Sequence, residues 1–286
     1  MSTLYLVATP IGNLADITLR AIEILKKVSL IAVEDTRVTQ KLLTHYQIHN
    51  RMISLYDQNE SRRIPLLLEA LQEGDVALVS DSGTPGLNDP GFQLVNAAIA
   101  NGHRVSPIPG PCAPIAALVA SGLPTDHFLY LGFLPRKLTE RKQILEKVVS
   151  IPYTLVMLEA PHRLLKTLDF LYQTLGNRKL VIARELTKLY EEFWRGNLAQ
   201  ALDHFSAQPP RGEITLIIEG APQSPQLWDE ARLLEAIRSH LKTGTNLKKL
   251  AHLLATESGW QSREIYRRAL QLKSNITPSE ISEGSQ

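Results

Sequence analysis

The first 120 residues alternate between short apolar runs and longer stretches with helical spacing. The apolar runs predicted as strands are Tyr5–Ala8, Leu30–Val33, Met52–Leu55, Val76–Val79 and Val105–Ile108. Two parallel strands of one sheet can be joined only by a long crossover, which is usually a helix. The alternation therefore predicts a mainly parallel sheet covered by helices on both faces.

Loops rich in glycine and proline follow three of these predicted strands. They are Thr9–Asn13, Ser80–Gly86 and Pro109–Ala113. Proline stiffens a loop, and glycine lets the backbone approach a ligand closely. Because open parallel sheets bind ligands outside the carboxyl ends of their strands, the three loops predict a preformed cleft.

The common nucleotide and hydrolase motifs are missing from these loops. The first strand is not followed by G-x-G-x-x-G, and the chain has no G-x-x-x-x-G-K-[ST]. The segment Val79–Gly83 lacks the first glycine of the G-x-S-x-G elbow of serine hydrolases. The sequence thus gives no support for a Rossmann, P-loop or serine hydrolase site.

The rest of the chain divides into two further parts. A second α/β pattern has predicted strands at Phe128–Phe133, Thr154–Leu158, Leu180–Ala183 and Ile214–Ile218. Beyond Ala221–Pro225 the pattern is entirely helical. We predict an α/β domain over residues 1–122, a second α/β domain over 123–222 and a helical extension over 226–286.

Composition narrows the class of protein. Hydrophobic residues make up 44% of the chain and charged residues 21%, as in soluble globular proteins. Cys112 is the only cysteine, which excludes an intramolecular disulfide and a cysteine-rich zinc site. The N-terminus does not read as a secretory signal, and apolar runs fall short of the ~20 residues of a membrane helix. We expect a cytoplasmic protein without a membrane partner.

No metal site is predicted from the sequence. His45 and His49 have the i, i+4 spacing of two ligands on one helix face. They lack the glutamate of the H-E-x-x-H motif and are interpreted as surface residues.

Nine ordered motifs together resemble the tetrapyrrole methylase superfamily of S-adenosylmethionine-dependent methyltransferases. They are Leu6–Leu14, Glu34–Arg37, Ser80–Pro85, Pro109–Pro111, Ser121–Pro124, Gly132–Pro135, Glu159–Arg163, Arg184–Lys188 and Arg211–Glu213. Each motif alone is weak evidence, but nine motifs in the same order are not expected by chance. The resemblance implies the class III methyltransferase fold: two α/β domains, S-adenosyl-L-methionine in the cleft between them, and a homodimer.

The same resemblance implies which positions hold the cofactor. In the family, backbone groups and small side chains of the loops make most of the contacts with the cofactor. The matching positions here are Pro10, Gly12, Ser80, Asp81, Gly83, Thr84, Cys112, Ala113, Glu159, Leu186 and Glu213.

The first loop distinguishes between branches of this family. Members that modify tetrapyrroles carry a G-x-G-P-G-D type of loop, whereas this chain has Thr9-Pro10-Ile11-Gly12-Asn13. The difference favours the ribosomal branch, which implies methylation of the ribose 2′-hydroxyl of a cytidine in the decoding region of 16S rRNA. The partner is then 16S rRNA or the small ribosomal subunit. A methyltransferase for a tetrapyrrole or another small molecule is the first alternative.

Two charged clusters are candidates for the chemistry, because a ribose hydroxyl needs a base or a charge that stabilises the developing alkoxide. One consists of Glu34, Asp35 and Arg37, and the other of Arg184, Glu185 and Lys188. If each cluster follows a strand of a parallel sheet, both could face the cleft. Our hypothesis is that Lys188 or Glu185 assists proton removal, while Arg37 and Arg184 hold phosphate. Equally, these charges could pair with each other and only join the domains.

The helical extension carries the excess positive charge. Residues 227–286 contain nine Lys/Arg and seven Asp/Glu, which accounts for the whole net charge of +2. A helix, a short turn with Gly259 and a basic helix form a helix-turn-helix pattern. The cations predicted to bind RNA phosphates are Lys248, Lys249, Arg263, Arg267, Arg268 and Lys273.

Two other interpretations of the extension remain open at this level. It could be a structural module that supports the dimer. Alternatively, the α/β part could be a ligand sensor and the extension a sequence-specific DNA reader. A regulator of that kind would bind duplex DNA, whereas the methyltransferase needs structured rRNA and consumes its methyl donor.

Overall fold

The computed structural model describes residues 2–208, 210–222, 228–242 and 245–275. The chain divides into two compact units, Met1–Gly220 and Ala221–Gln286. Part of the predicted extension, namely residues 226–227, 243–244 and 276–286, lies outside the described residues.

The first sheet is built from the first five strands. Its strands are β1 (Thr3–Val7), β2 (Leu30–Val33), β3 (Met52–Ser54), β4 (Val76–Val79) and β5 (Arg104–Ile108). The helices that follow them are α1 (Leu19–Lys27), α2 (Thr36–His45), α3 (Glu60–Glu73), α4 (Phe92–Ala100) and α5 (Ala113–Ser121). The strand order is β3-β2-β4-β1-β5, and every pair is parallel.

Alternating side chains of β2 and β4 bury both faces of this sheet. Ile31 and Val33 pack with residues of α1 and α2, whereas Ala32 packs with α3 and α4. Every residue of β4 is buried, as expected for a central strand of a parallel sheet. The prediction of a parallel sheet covered on both faces is confirmed for this part of the chain.

The second sheet is mixed. Its strands are β6 (Phe128–Phe133), β7 (Thr154–Glu159), β8 (Lys179–Arg184), β9 (Glu192–Asn197) and β10 (Ile214–Ile218), in the order β6-β7-β10-β8-β9. Only β6 and β7 are parallel, while β10 runs antiparallel to β7 and β8, and β9 antiparallel to β8.

The premise that both charged clusters follow strands of parallel sheets is therefore wrong for the second cluster. Arg184, Glu185 and Lys188 lie at the end of β8 and in the hairpin that leads to β9. Strand β9 was not predicted from the sequence, because Glu192, Arg195 and Gly196 interrupt its apolar pattern. A hairpin strand at a sheet edge needs no continuous apolar run, since only part of it is buried.

Helices from both halves of the first unit cover the second sheet. One face packs on α6 (Leu138–Val148), α7 (Leu164–Leu175) and α8 (Leu198–Ala207). The other face packs on α5, where Ala117 and Leu118 contact the core that contains Val156 and Ile217. Because α5 begins directly after the Pro109–Ala113 loop, it fixes that loop against the second sheet.

The second unit consists, in its described part, of α9 (Glu230–Lys242), α10 (Leu247–Ser258) and α11 (Ser262–Asn275). Its small core includes Leu233, Ile237, Leu250, Leu254 and Ile265. Gly259 ends α10 with a left-handed φ of 71°, which permits the short turn into α11. The predicted helix, turn and basic helix are present.

Candidate functional site

The three glycine- and proline-rich loops meet at the carboxyl edge of the first sheet. Thr9 and Gly83 exchange two backbone hydrogen bonds, with N···O distances of 2.8 and 3.0 Å. The hydroxyl of Thr84 donates to the carbonyl of Pro111 at 3.1 Å. Loops that are far apart in sequence thus hold one another in place, which makes a preorganised wall.

Gly83 occupies a backbone conformation in this wall that favours glycine. Its φ is +80°, a conformation that strains other residues, and a Cβ there would lie 3.4 Å from the Ile11 side chain. The turn lets the carbonyl and amide of Gly83 pair with Thr9 while the chain continues to Thr84 beside the ligand space.

A cavity of about 510 Å³ lies between these loops and the second sheet. This volume falls within the ~300–1,000 Å³ typical of small-molecule and cofactor sites. Seven predicted cofactor positions belong to its lining: Gly83, Thr84, Cys112, Ala113, Glu159, Leu186 and Glu213. Two predicted catalytic residues, Glu185 and Lys188, also line it.

Four predicted cofactor positions stand outside the described lining and support it instead. The buried Ser80 donates its hydroxyl to the Ser82 carbonyl at 3.2 Å. Asp81 accepts a hydrogen bond from the Asp35 amide at 2.9 Å. Pro10 is half-buried in the first loop. Gly12 lies against the β8–β9 hairpin, because a Cβ on Gly12 would lie 2.4 Å from Cγ of Lys188.

Glu159 anchors the end of β7. It is 2% exposed, and its carboxylate accepts from the Thr167 hydroxyl at 2.5 Å and the Ala160 amide at 2.8 Å. Nε of Arg163 lies 3.2 Å from the same carboxylate. A buried carboxylate is stable only with such partners. Here the hydrogen bonds and the ion pair of Glu159 also hold the loop that follows β7 in place.

The first charged cluster is attached to the second loop rather than to the cavity. Glu34 accepts from the Asp81 amide at 3.2 Å, and burial raises the pKa of both Glu34 and Asp81. The Arg37 guanidinium donates to Asp35 at 2.6 Å and lowers the pKa of Asp35 to about 2. Within the described chain, Glu34, Asp35 and Arg37 are not part of the lining.

The second charged cluster is held in the β8–β9 hairpin by an unusual backbone. Glu185 and Thr187 have φ values of 52° and 62°, which are rare for residues other than glycine. The Lys188 ammonium lies 3.0 Å from Oε1 of Glu185 and 3.5 Å from Oε2 of Glu213. Residues held in such sparsely populated conformations cluster at functional sites.

The electrostatics of this cluster set its protonation states. Burial would lower the pKa of Lys188, but the carboxylates of Glu185 and Glu213 outweigh it and raise the pKa. The hydrogen bond from Lys188 lowers the pKa of Glu185. At neutral pH the pair is thus an ammonium and a carboxylate, and neither group is poised to accept a proton.

Arg184 is already paired. Its guanidinium donates to the Glu192 carboxylate at 2.5 and 2.9 Å, and to the Arg211 carbonyl at 3.3 Å. Here, the interpretation in which the charges pair with each other fits the geometry, although the partners lie within one domain. By contrast, the side chain of Arg37 is 87% exposed.

The lining also contains polar residues that were not predicted as site residues, among them Asn88, Asp89 and Tyr130. The Tyr130 hydroxyl donates to Oδ1 of Asn88 at 2.5 Å, which joins the two sheets across the cavity. Burial raises the pKa of Tyr130 to about 12, and Cys112 and Asp89 add to the shift. In the sequence, Asp89-Pro90-Gly91 has only the pattern of a turn, and nothing there indicates that Asn88 or Asp89 lines a cavity.

Asp89 is a carboxyl group of the cavity lining with a strongly raised pKa. Burial raises the pKa of Asp89 to about 6, and the negative charges of Glu34, Asp81 and Asp57 raise it further. A hydrogen bond from Ser80 opposes this shift. A carboxylate of this pKa in a cavity is suited to accept a proton near neutral pH.

The predicted RNA-binding cations of the helical unit fall into two groups. Lys248, Lys249, Arg263, Arg267 and Lys273 are exposed. Arg268, however, pairs with Glu230 and Glu264, and its guanidinium lies 4.6 Å from the centre of the Trp260 ring. Arg268 thus joins α11 to α9 within the unit.

The sequence pattern described as Tetrapyrrole (Corrin/Porphyrin) Methylases matches residues 3–202. The chain belongs to this tetrapyrrole methylase family. The match spans the first sheet, the three loops and the second sheet up to β9, and it ends before β10 and the lining residues Gly212–Thr215.

Curated relatives of this family member extend over nearly the whole chain. "Ribosomal RNA small subunit methyltransferase I" of Synechocystis sp. is 47% identical, over 96% of this chain and 100% of the relative. The protein of the same name from Escherichia coli O157:H7 is 45% identical, over 94% of both chains. Such coverage includes most of the helical unit.

Solved structures of other methylases share the fold of this family member. Diphthine synthase matches with a TM-score of 0.62 at 14% identity, over 78% of this chain and 91% of that chain. The cobalt precorrin-4 methyltransferase CbiF matches with a TM-score of 0.58 at 15% identity, over 76% and 94%. At these identities the likeness concerns the fold alone.

Among the residues with described placement, no helix combines the length and apolar character needed to span a bilayer. The same residues contain no group of three or more His, Cys, Asp or Glu arranged to hold a metal ion.

Proposed function

We propose that this chain transfers a methyl group from S-adenosyl-L-methionine to the ribose 2′-hydroxyl of a cytidine in the decoding region of 16S rRNA. The observation that carries the proposal is the 42–47% identity to ribosomal RNA small subunit methyltransferases over at least 92% of the chain. The motifs from Leu6–Leu14 to Arg211–Glu213 support the nucleoside and the atom.

The cavity fits the proposed methyl donor. Its lining combines small side chains, such as Gly83 and Ala113, with apolar ones, such as Ile11 and Leu186. Thr84, Cys112 and the backbone of the second and third loops would hold the donor from one side, and Leu186 and Glu213 from the other. When bound, S-adenosyl-L-methionine supplies an electrophilic methyl group on a sulfonium.

The residues of the chain then position and activate the hydroxyl. The Lys188 ammonium, fixed between Glu185 and Glu213, stabilises the negative charge that develops on the ribose oxygen. Asp89, whose pKa is raised to about 6 by burial, accepts the proton of the hydroxyl. Lys188 and Asp89 line the same cavity. We thus assign the role of general base to Asp89, in place of Lys188 or Glu185 as expected from the sequence.

The arginines predicted to hold phosphate are assigned different roles. Arg37 is exposed while it is bound to Asp35, so it can reach a phosphate without losing its partner. Arg184 is engaged by Glu192 and orders the hairpin. Phosphate contacts of this kind fix the position of the RNA and carry no sequence information.

The assembly and location follow from the same proposal. We propose a homodimer, as the family resemblance implies, and a cytoplasmic location, where small ribosomal subunits are made. The exposed cations of the helical unit, Lys248, Lys249, Arg263, Arg267 and Lys273, provide the RNA-gripping surface. Arg268 holds that surface together.

Deletion of residues 226–286 is expected to separate the two functions. The lining of the cavity lies entirely within the first unit, so the affinity for S-adenosyl-L-methionine should stay within about twofold, as measured by calorimetry. The affinity for small subunits should fall about tenfold or more, and its dependence on salt should weaken, because phosphate contacts are lost.

A double variant provides a folded counterpart to that deletion. Arg263→Ala with Arg267→Ala removes two exposed cations without touching the buried core of the unit. It should weaken binding in the same direction by a smaller factor. Unchanged affinity in both proteins would rule out the RNA-binding role of the extension.

The substrate class is tested with methyl-labelled S-adenosyl-L-methionine. The purified protein is incubated with small subunits from cells that lack this gene, and in parallel with uroporphyrinogen III. Label in the 16S rRNA supports the proposal. Label in the tetrapyrrole alone would support the first alternative, and sequence-specific duplex DNA binding without methyl transfer would support the regulator.

A further inference from the structure

Two large apolar side chains project from the tip of the β8–β9 hairpin. Leu189 is 88% exposed and Tyr190 is 71% exposed. A tyrosine exposed to that degree at a loop tip buries little of its ring within its own chain. The ring of Tyr190 is therefore accessible to a binding partner.

The tip is held rigidly. The amide of Glu191 donates to the Lys188 carbonyl at 3.2 Å, which closes a turn with Leu189 and Tyr190 at its centre. The carboxylate of Glu191 accepts from the Thr187 amide at 2.7 Å. The backbone at Tyr190 is thus already ordered, which lowers the entropy cost of binding a partner there.

The turn starts at a residue of the cavity. Lys188 contributes to the lining, and Tyr190 follows it by two positions. Because consecutive Cα atoms are about 3.8 Å apart, the Cα atom of Tyr190 lies within about 7.6 Å of that of Lys188. Tyr190 therefore lies close in space to a residue that lines the cavity.

The charges around the tip disfavour phosphate as the partner. The hairpin segment 184–192 contains three carboxylates, Glu185, Glu191 and Glu192, and its two cations, Arg184 and Lys188, are both engaged by carboxylates. Net negative charge repels the RNA backbone but not an uncharged base. An aromatic ring in such surroundings suits stacking, by which single-stranded RNA is commonly recognised.

We propose that Tyr190 stacks on a base of the RNA substrate at the mouth of the cavity, adjacent to or at the target nucleotide, with Leu189 packing beside it. This inference rests on the proposed rRNA methyltransferase function. It assigns the tip a role in holding an unstacked nucleotide so that its ribose reaches the cavity.

A second copy of the chain is the competing occupant. Two side chains offer on the order of 300 Å², well below the ~800 Å² that each partner of a stable interface usually buries. Their place beside a cavity-lining ammonium also favours the substrate.

The test compares Tyr190→Ala, Tyr190→Phe and the matched control Tyr172→Ala. Tyr172 is 40% exposed on α7, eight residues from its start at Leu164 and hence about 12 Å along the helix from the cavity end. Measured quantities are KM and kcat for unmethylated small subunits, the Kd of S-adenosyl-L-methionine, and the oligomeric state by sedimentation.

Tyr190→Ala is expected to raise KM for small subunits about tenfold or more, the effect of losing one stacked base. Tyr190→Phe and Tyr172→Ala should stay within about twofold of the unaltered protein, and all three should bind S-adenosyl-L-methionine normally. An unchanged KM in Tyr190→Ala, or a changed oligomeric state, would overturn the inference. If the unaltered protein itself transfers no methyl group to rRNA, the proposed function fails first.

Discussion

Replacing Asp89 with Asn is expected to lower kcat about a hundredfold or more at pH 7.5, the usual contribution of a general base. The unaltered enzyme should gain activity as the pH rises through about 6, because burial raises the pKa of Asp89 to about 6 and only the carboxylate accepts a proton. Asp89→Asn should lack this rise. The measurement is single-turnover methyl transfer to small subunits between pH 5 and 8.5.

The same substitution is expected to increase stability at alkaline pH. The raised pKa means that ionising Asp89 costs more in the folded chain than in the unfolded chain. Stability from this group is complete below the unfolded value of 3.8 and is lost as the pH rises through about 6. Asp89→Asn should thus unfold at a higher urea concentration at pH 8. Its free energy of unfolding should be higher by about 1 kcal/mol at that pH, after allowing for solvent screening, and unchanged at pH 4.

Asp169→Asn serves as the matched control. Asp169 lies on α7, and its carboxylate accepts from the Gln173 side chain in exposed surroundings. This variant should keep both the pH profile and kcat. A normal rising limb in Asp89→Asn would mean that another group accepts the proton.

Replacing Lys188 with Met is expected to lower kcat about a hundred- to a thousandfold, the range for losing one preorganised donor to a developing oxyanion. Methionine keeps a flexible apolar stem against Gly12 but removes the ammonium. The Kd of S-adenosyl-L-methionine should change by less than about threefold, since the proposed role concerns the acceptor oxygen. Calorimetry and single-turnover rates measure the two effects separately.

Lys179→Met is the counterpart at the other end of β8. Lys179 pairs with Glu219 at 3.2 Å and its side chain is 71% exposed. It should behave like the unaltered protein in both assays. If Lys188→Met kept kcat within threefold, the ammonium would have only a structural role in the hairpin.

The position of the cleft was predictable because it depends on strands and loops that are adjacent in the sequence. A strand followed by a glycine- and proline-rich loop marks a carboxyl edge, and parallel strands place their carboxyl ends on one side. Gly83, Thr84, Cys112 and Ala113 line the cavity for this reason. Helix spacing likewise predicted the parts of the helical extension that the structure describes.

The roles of individual charges were not predictable, because they depend on contacts distant in sequence. The raised pKa of Asp89 comes from burial and from Glu34, which is 55 positions away in the chain. Arg268 was predicted to contact phosphate as one of the cations of the last helix, but Glu230 lies 38 positions upstream and pairs with it. The hairpin after β8 was missed because the charged edge strand β9 shows no apolar run.

The identity of the methylated nucleoside tests the central claim most directly. Small subunits from cells lacking this gene are incubated with the protein and methyl-labelled S-adenosyl-L-methionine, and the 16S rRNA is then digested to nucleosides and separated. The account predicts that the label runs as 2′-O-methylcytidine. Label in a base-methylated nucleoside, or no label in RNA from a protein that binds the methyl donor, would contradict it.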